Sequence, residues 1–190
     1  MRDPLDGLIF VTSNPGKARE AERFLGRRVS ARSADIREIQ SLSFTEVARA
    51  KAVQAAALMG AAVLVEDSGL EMHAWGGFPG PFTKWITMEA PGQAGLARML
   101  DAFPDRRATA VSALAVARPG QDEAAVIVAE GRRAGSIAPA PRGTKGFGWD
   151  VLFIPEGGTL TYAEMPEEEK NRDSHRARAF AALRERLRKA

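Results

Sequence analysis

The sequence predicts an α/β fold built on a mixed β-sheet, for three reasons. Short apolar runs of strand length alternate with amphipathic helical stretches, two long apolar runs flank a turn in the manner of a hairpin, and the polar residues able to do chemistry gather between these segments. With 190 residues, 45% of them apolar, the chain can bury a sizeable core, as one domain or as two small lobes sharing a cleft.

Leu8 to Val11 is an apolar β-type run, followed by the turn Thr12-Ser13-Asn14-Pro15-Gly16. A helical pattern comes next, in which Ala18, Ala21, Phe24 and Leu25 share a face. Ser43-Phe44-Thr45-Glu46 has capping-box spacing, and the alanine-rich helix it opens runs to Gly60, a natural C-terminal residue. Ala62 to Val65 reads as a buried strand whose end delivers Glu66, Asp67 and Ser68 into a loop. Gly76, Gly77, Pro79, Gly80 and Pro81 mark an irregular segment, and Pro91 to Leu100 a short helix. Ala108 to Ala117 and Ala124 to Glu130 flank Arg118 to Asp122 as a hairpin, continued by Arg132 to Ile137. A loop from Pro139 ends in Gly146-Phe147-Gly148-Trp149-Asp150, before a strand over Val151 to Ile154. The last helix follows Asp173 or Ser174, with Phe180, Leu183 and Leu187 on one stripe and arginines opposite.

Composition removes several classes of function. The absence of cysteine excludes disulfides and thiolate metal sites and allows a reducing compartment. Asp3, Pro4 and Asp6 stand where an export signal needs basic and then apolar residues. The longest apolar run, Ala55 to Val65, is broken by Gly60 and falls short of the about 20 residues of a membrane span. These features predict a cytoplasmic protein with no membrane partner. The net charge of +3, from 27 basic and 24 acidic residues, owes much to Arg176, Arg178, Arg184, Arg186, Arg188 and Lys189. It suits a phosphate-bearing partner or is a solvated helix face; a nucleic-acid footprint is the less favoured reading.

Four polar groups carry chemistry when taken together. Asn14 and Lys17 stand where the first strand turns into a helix, so N–H groups, helix dipole and ammonium can converge on phosphate; an ordinary βα turn reads the same way. Glu66 and Asp67, with Glu38 in the stretch Asp35-Ile36-Arg37-Glu38-Ile39-Gln40, offer hard oxygen ligands suited to Mg²⁺, or else cap a turn. Phe147 and Trp149 offer a flat surface to a base or belong to a core, and Asp150 accepts from the base or orients its neighbours. Ser174-His175-Arg176 opens a helix, where Arg176 and a histidine N–H can donate to a purine O6; the plainer alternative is an N-cap serine with two exposed basic residues.

In order along the chain, these segments resemble the inosine triphosphate pyrophosphatase (Ham1) family. The resemblance runs through Phe10 to Lys17, Asp35 to Gln40, Val65 to Leu70, Gly76 to Trp85, Gly146 to Asp150, Thr161-Tyr162-Ala163-Glu164-Met165, Glu169-Lys170-Asn171 and Ser174-His175-Arg176. It implies an elongated mixed sheet flanked by helices, with two lobes and a central cleft, over residues 1–190 as a single domain of the ITPase/Maf type. It also implies a homodimer that hydrolyses ITP, dITP and XTP, with Mg²⁺, to the monophosphate and pyrophosphate. By that resemblance Asn14 and Lys17 hold phosphates, with Lys51 and Lys84 as further candidates and Thr12, Ser13 and Ser68 as neighbouring substrate contacts. Glu38 and Asp67 handle Mg²⁺, and Asp67 activates water. Phe147 stacks on the base, Gly148, Trp149 and Asp150 shape its pocket, and Lys170, Ser174, His175 and Arg176 read the 6-oxo edge. Phe82 stands where many members have tyrosine, and Val151-Leu152-Phe153 lacks a proline common after the aspartate. The alternatives are a pyrophosphatase for another modified nucleotide and a module for single-stranded nucleic acid.

Overall fold

Asn14 starts the first helix because its side-chain oxygen accepts the N–H groups of Gly16 and Lys17, two of the donors a helix N-terminus leaves unpaired. Gly26 ends it in the left-handed conformation. In the computed structural model, which describes residues 5–189, this helix is α1 (Pro15–Leu25) and follows strand β1 (Ile9–Val11). The sequence reading of the first seven residues falls mostly on residues 1–4, outside those described.

Next come β2 (Ser30–Arg32), α2 (Phe44–Met59), β3 (Val63–Met72), β4 (Pro79–Gly80), α3 (Thr83–Met88), α4 (Gly92–Met99), β5 (Arg107–Ala117), β6 (Ile127–Ile137), β7 (Phe153–Pro155), α5 (Glu167–Arg172) and α6 (His175–Lys189). Among the described residues the sheet has seven strands, in the order β2-β1-β3-β5-β6-β7 with β4 on β3. It is mixed: β1 pairs in parallel with β2 and β3, while β3–β4 and β6–β7 are antiparallel. The mixed sheet flanked by helices is the predicted architecture.

Several expectations need correcting. Glu66, Asp67 and Ser68 do not leave the sheet: β3 continues through them to Met72. Gly69 lets it do so, since a Cβ there would stand 2.4 Å from the Gly80 carbonyl oxygen and 2.6 Å from Thr83 Oγ1. The strand read from Ala124 begins instead after a 3₁₀ turn at Glu123–Ala125 and runs unbroken through Ile137. The strand read from Val151 is preceded by a 3₁₀ turn over Gly148–Val151. The capping box at α2 is half formed: Ser43 Oγ accepts from Glu46 N, but the Glu46 carboxylate takes the Ser41 hydroxyl.

The chain divides into two compact units. The first comprises the residues up to Asp67, Ser112–Gly131 and those from Ala177 onward. Its core joins Phe10, Leu64, Leu114, Val116 and Ala129 of the strands to Ala21 of α1 and Ala179, Phe180 and Leu183 of α6. The predicted stripes of α1 and α6 therefore meet, with Phe24 and Phe180 rings 5.3 Å apart. The arginines of α6 are partly committed: Arg184 donates to the Phe24 carbonyl at 2.8 Å and Arg186 to that of Val128. The second unit, Ser68–Val111 with Arg132–Arg176, packs Leu70, Met72, Leu96 and Leu100 with Trp149, Leu152, Phe153 and Tyr162. Arg106 secures it, donating to the carbonyls of Ala97, Ile137 and Ala138 at 3.0, 2.9 and 3.0 Å. Among the described residues no helix is long and apolar enough to cross a membrane.

Candidate functional site

The first unit gathers the acidic candidates and the phosphate-type candidates other than Lys84, which belongs to the second. Glu66 and Asp67 are 3% and 8% exposed. Buried carboxylates need donors or cations around them, and Glu66 has both: Ser112 on the neighbouring strand β5 donates to Glu66 Oε1 at 3.0 Å, and Lys17 Nζ lies 3.9 Å from the same oxygen. Burial pushes the Asp67 carboxyl up from 3.8 to about 7; Lys17 and Lys51 pull it down, while Glu38 and Glu66 push it further up. Its Oδ2 is buried and has no hydrogen-bond partner among the described residues.

Glu38 lies in an exposed, irregular stretch that α2 pins by one face. Lys51 donates to Glu38 Oε1 at 2.6 Å, and Gln54, one turn on, donates to the Arg37 carbonyl at 3.0 Å. Lys51 is thus committed to Glu38 rather than waiting for a ligand. Asn14 is likewise occupied as a helix cap, and Thr12 Oγ1 accepts the Asn14 N–H at 3.1 Å. A surface pocket of about 440 Å³ lies beside this turn, lined by Thr12, Ser13 and Asn14 together with Arg19, Glu22 and Ser33.

The second unit gathers the base-type candidates. Asp150 is the organiser: its Oδ2 accepts the Phe147 N–H at 2.9 Å and the Lys170 ammonium at 2.6 Å. Gly146 makes room for it, since a Cβ there would sit 2.2 Å from that oxygen. Gln93 of α4 donates to the Gly148 carbonyl at 2.5 Å and holds the loop from the other side. Phe147 is half-buried, with Lys170 Nζ 4.9 Å and the Arg176 guanidinium 5.3 Å from its ring centroid. Both cations lie within the roughly 6 Å over which a ring face attracts them. Trp149, by contrast, is core, 8% exposed and packed on Phe153, Tyr162 and His175.

Ser174, His175 and Arg176 are 0%, 1% and 1% exposed, so the reading of an N-cap with two exposed basic residues does not hold. The His175 ring stacks on Tyr162 at 6.0 Å and 18°, and burial pushes the Tyr162 phenol above its usual range. Ser68 is half-buried in β3, and Lys84 is exposed on α3 with its ammonium 5.5 Å from the Trp85 ring. Ser112 escaped the sequence reading, and Tyr162 entered it only as part of the segment 161–165, without a role. The available signal for Ser112 was a serine set among alanine, valine and leucine.

The Ham1 family model matches residues 8–186. The chain belongs to the Ham1 family. An inosine triphosphate pyrophosphatase from Puccinia graminis f. sp. tritici is 41% identical over 188 residues, covering 94% of this chain and 95% of its own. A dITP/XTP pyrophosphatase from Hyperthermus butylicus is 40% identical over 179 residues, covering 93% and 92%. Among solved Ham1 structures, a HAM1 protein from Coxiella burnetii superposes with a TM-score of 0.80 at 30% identity, covering 96% of this chain and 100% of its own. A dITP/XTP pyrophosphatase from Mycobacterium abscessus gives 0.71 at 36%, covering 92% and 97%.

The oxygen donors present suit a divalent cation. Asp67, Glu66 and Glu38 are hard oxygen donors, and the buried Oδ2 of Asp67 has an unmatched lone pair. Among the described residues no group of three or more acidic or histidine side chains is gathered to enclose a metal, so phosphate oxygens and water would complete the shell.

Proposed function

We propose that this Ham1 chain hydrolyses ITP, dITP and XTP between the α- and β-phosphates, releasing the nucleoside monophosphate and pyrophosphate. The observation that carries the reading is the buried Asp67 carboxyl, raised to about 7 and with an unpartnered oxygen, on the strand that also presents Glu66 to Lys17. Curated relatives named for ITP and for dITP/XTP support the substrate class.

In this reading the Asp67 carboxylate takes a proton from the attacking water. Lys17 meets the phosphates, beside Thr12, Ser13 and Asn14. Asp67 and Glu38 would hold Mg²⁺, which supplies charge neutralisation for the triphosphate when bound. In the second unit Phe147 stacks on the base, while Arg176, His175 and Lys170 present donors to a 6-oxo edge. Donors accept hypoxanthine and xanthine but face the adenine amino group without an acceptor, and such a mismatch is discriminated strongly.

Residues 1–190 act as one functional domain in this reading, since β3, β5 and β6 each contribute residues to both units. The protein works in the cytoplasm as a homodimer. Exposed apolar side chains on the second unit support the dimer: Phe78 (41%), Trp85 (55%), Met88 (67%) and Phe103 (40%). Light scattering behind size exclusion tests it.

The deciding experiment is pyrophosphate release from ITP, XTP, dITP, GTP, ATP and dUTP, each with Mg²⁺ and with EDTA. Metal-dependent release from ITP and XTP but not ATP is expected. Turnover confined to dUTP would refute the base assignment, and no turnover would refute the hydrolase.

A further inference from the structure

We infer that Ser112 is a positioning residue that fixes the phosphate-binding lysine, acting through Glu66; this rests on the reading that Lys17 meets phosphate. Ser112 and Lys17 both approach Glu66 Oε1. Ser112 Oγ donates to it at 3.0 Å, and Lys17 Nζ stands 3.9 Å away, outside hydrogen-bond contact. The Glu66 side chain is fully buried, whereas that of Lys17 keeps 15% of its surface exposed. The hydroxyl therefore satisfies the buried oxygen with a neutral donor, so the carboxylate attracts the ammonium without capturing it.

Ser112 has no other evident reason to be polar. It is 0% exposed in a strand whose neighbours on either side are Val111, Ala113, Leu114 and Ala115, and a hydroxyl in such a place needs a partner. Glu66 is that partner. Without the hydroxyl, the acceptor turns to the Lys17 ammonium 3.9 Å away, which is drawn down to full contact. An ammonium bound to a buried carboxylate is a poorer phosphate ligand, in the ground state and the transition state alike.

Loss of such uniform binding raises KM while kcat changes little. Ser112→Ala should raise the KM for ITP and the inhibition constant of inorganic pyrophosphate together, by roughly tenfold, which is the scale of one hydrogen bond to a charged group. Ser112→Cys, with a weaker donor of similar size, should fall between Ser112→Ala and the unaltered protein. On a Glu66→Gln background, Ser112→Ala should have no further effect on either constant, because no carboxylate remains to capture Lys17.

Parallel rises in both constants that vanish on the Glu66→Gln background support the inference. Unchanged constants with only a lower melting temperature would overturn it, leaving Ser112 a packing residue. Should Ser112→Ala not fold, Ser112→Cys with unaltered constants overturns it equally. Lys17→Ala separates the two layers: if that variant keeps the pyrophosphate constant, the phosphate role of Lys17 fails, not the link from Ser112 to Glu66.

Discussion

Replacing Asp67 by asparagine should abolish turnover and, in the metal-free protein, raise stability at alkaline pH. The carboxyl moves from 3.8 to about 7 on folding, with burial as the largest cause. An acid with a raised folded pKa keeps its proton longer when folded, so its favourable contribution is complete below pH 4 and is lost as the pH climbs from about 4 to 7. The shift corresponds to about 4 kcal/mol at pH 8. Asparagine never ionises, so the variant escapes that loss. For a chain of this length the difference amounts to roughly 10 °C in melting temperature. Thermal unfolding in EDTA at pH 4, 5, 6, 7 and 8 reads it: the two curves should start close together and separate upward in favour of the variant. Added Mg²⁺ should then stabilise the unaltered protein more than the variant, since a cation bound only by the folded state shifts unfolding by mass action. Parallel curves across pH 4 to 8, or a variant less stable at pH 8, would refute both the burial argument and the placing of the cation at Asp67.

Other expectations follow from the same geometry. Phe147→Ala removes the stacking face, worth about 1–3 kcal/mol per base, so the KM for ITP should rise roughly tenfold or more while inhibition by pyrophosphate stays put; a parallel change in both would point to general damage. Asp150→Asn strips the buried Lys170 ammonium, 3% exposed, of its carboxylate, which should cost about 3–5 kcal/mol in denaturant titration; a loss below about 1 kcal/mol would show that Asp150 does not organise the loop. Arg106→Ala frees three carbonyls at once and should lower stability by about 2 kcal/mol or more, with the KM for ITP unmoved.

The fold was legible wherever a local rule controlled the backbone. Asn14, Ser43, Gly26 and Gly60 cap helices for reasons contained in a few residues, and the apolar stripes of α1 and α6 follow from periodicity. The strand β3 was misread at Glu66 because polar residues and a glycine imitate a strand end. What carries the strand onward is non-local: Ser112 satisfies Glu66 from another strand, and Gly69 accommodates Gly80 and Thr83. The same limit applies to Ser174-His175-Arg176. Their types name their chemistry, but His175 packs on Trp149 and Tyr162 and Arg176 on Phe147, residues well back in the chain. Neither spacing nor charge relates residues near 67 to residues near 150; that they serve one substrate is an expectation drawn from motif resemblance alone.

The two packing clusters share no residue, and that separation has an evolutionary side. Phe147, Asp150, Lys170 and Arg176 are built on the cluster around Tyr162 and Phe153, whereas Lys17, Glu66 and Asp67 are built on the one around Phe10 and Leu64. On the proposed assignment, substitutions that alter which purine is welcomed fall on one foundation only. A lineage built that way can drift in base preference by small steps while its hydrolytic scaffold is inherited unaltered, so that respecialisation does not begin by putting the chemistry at risk.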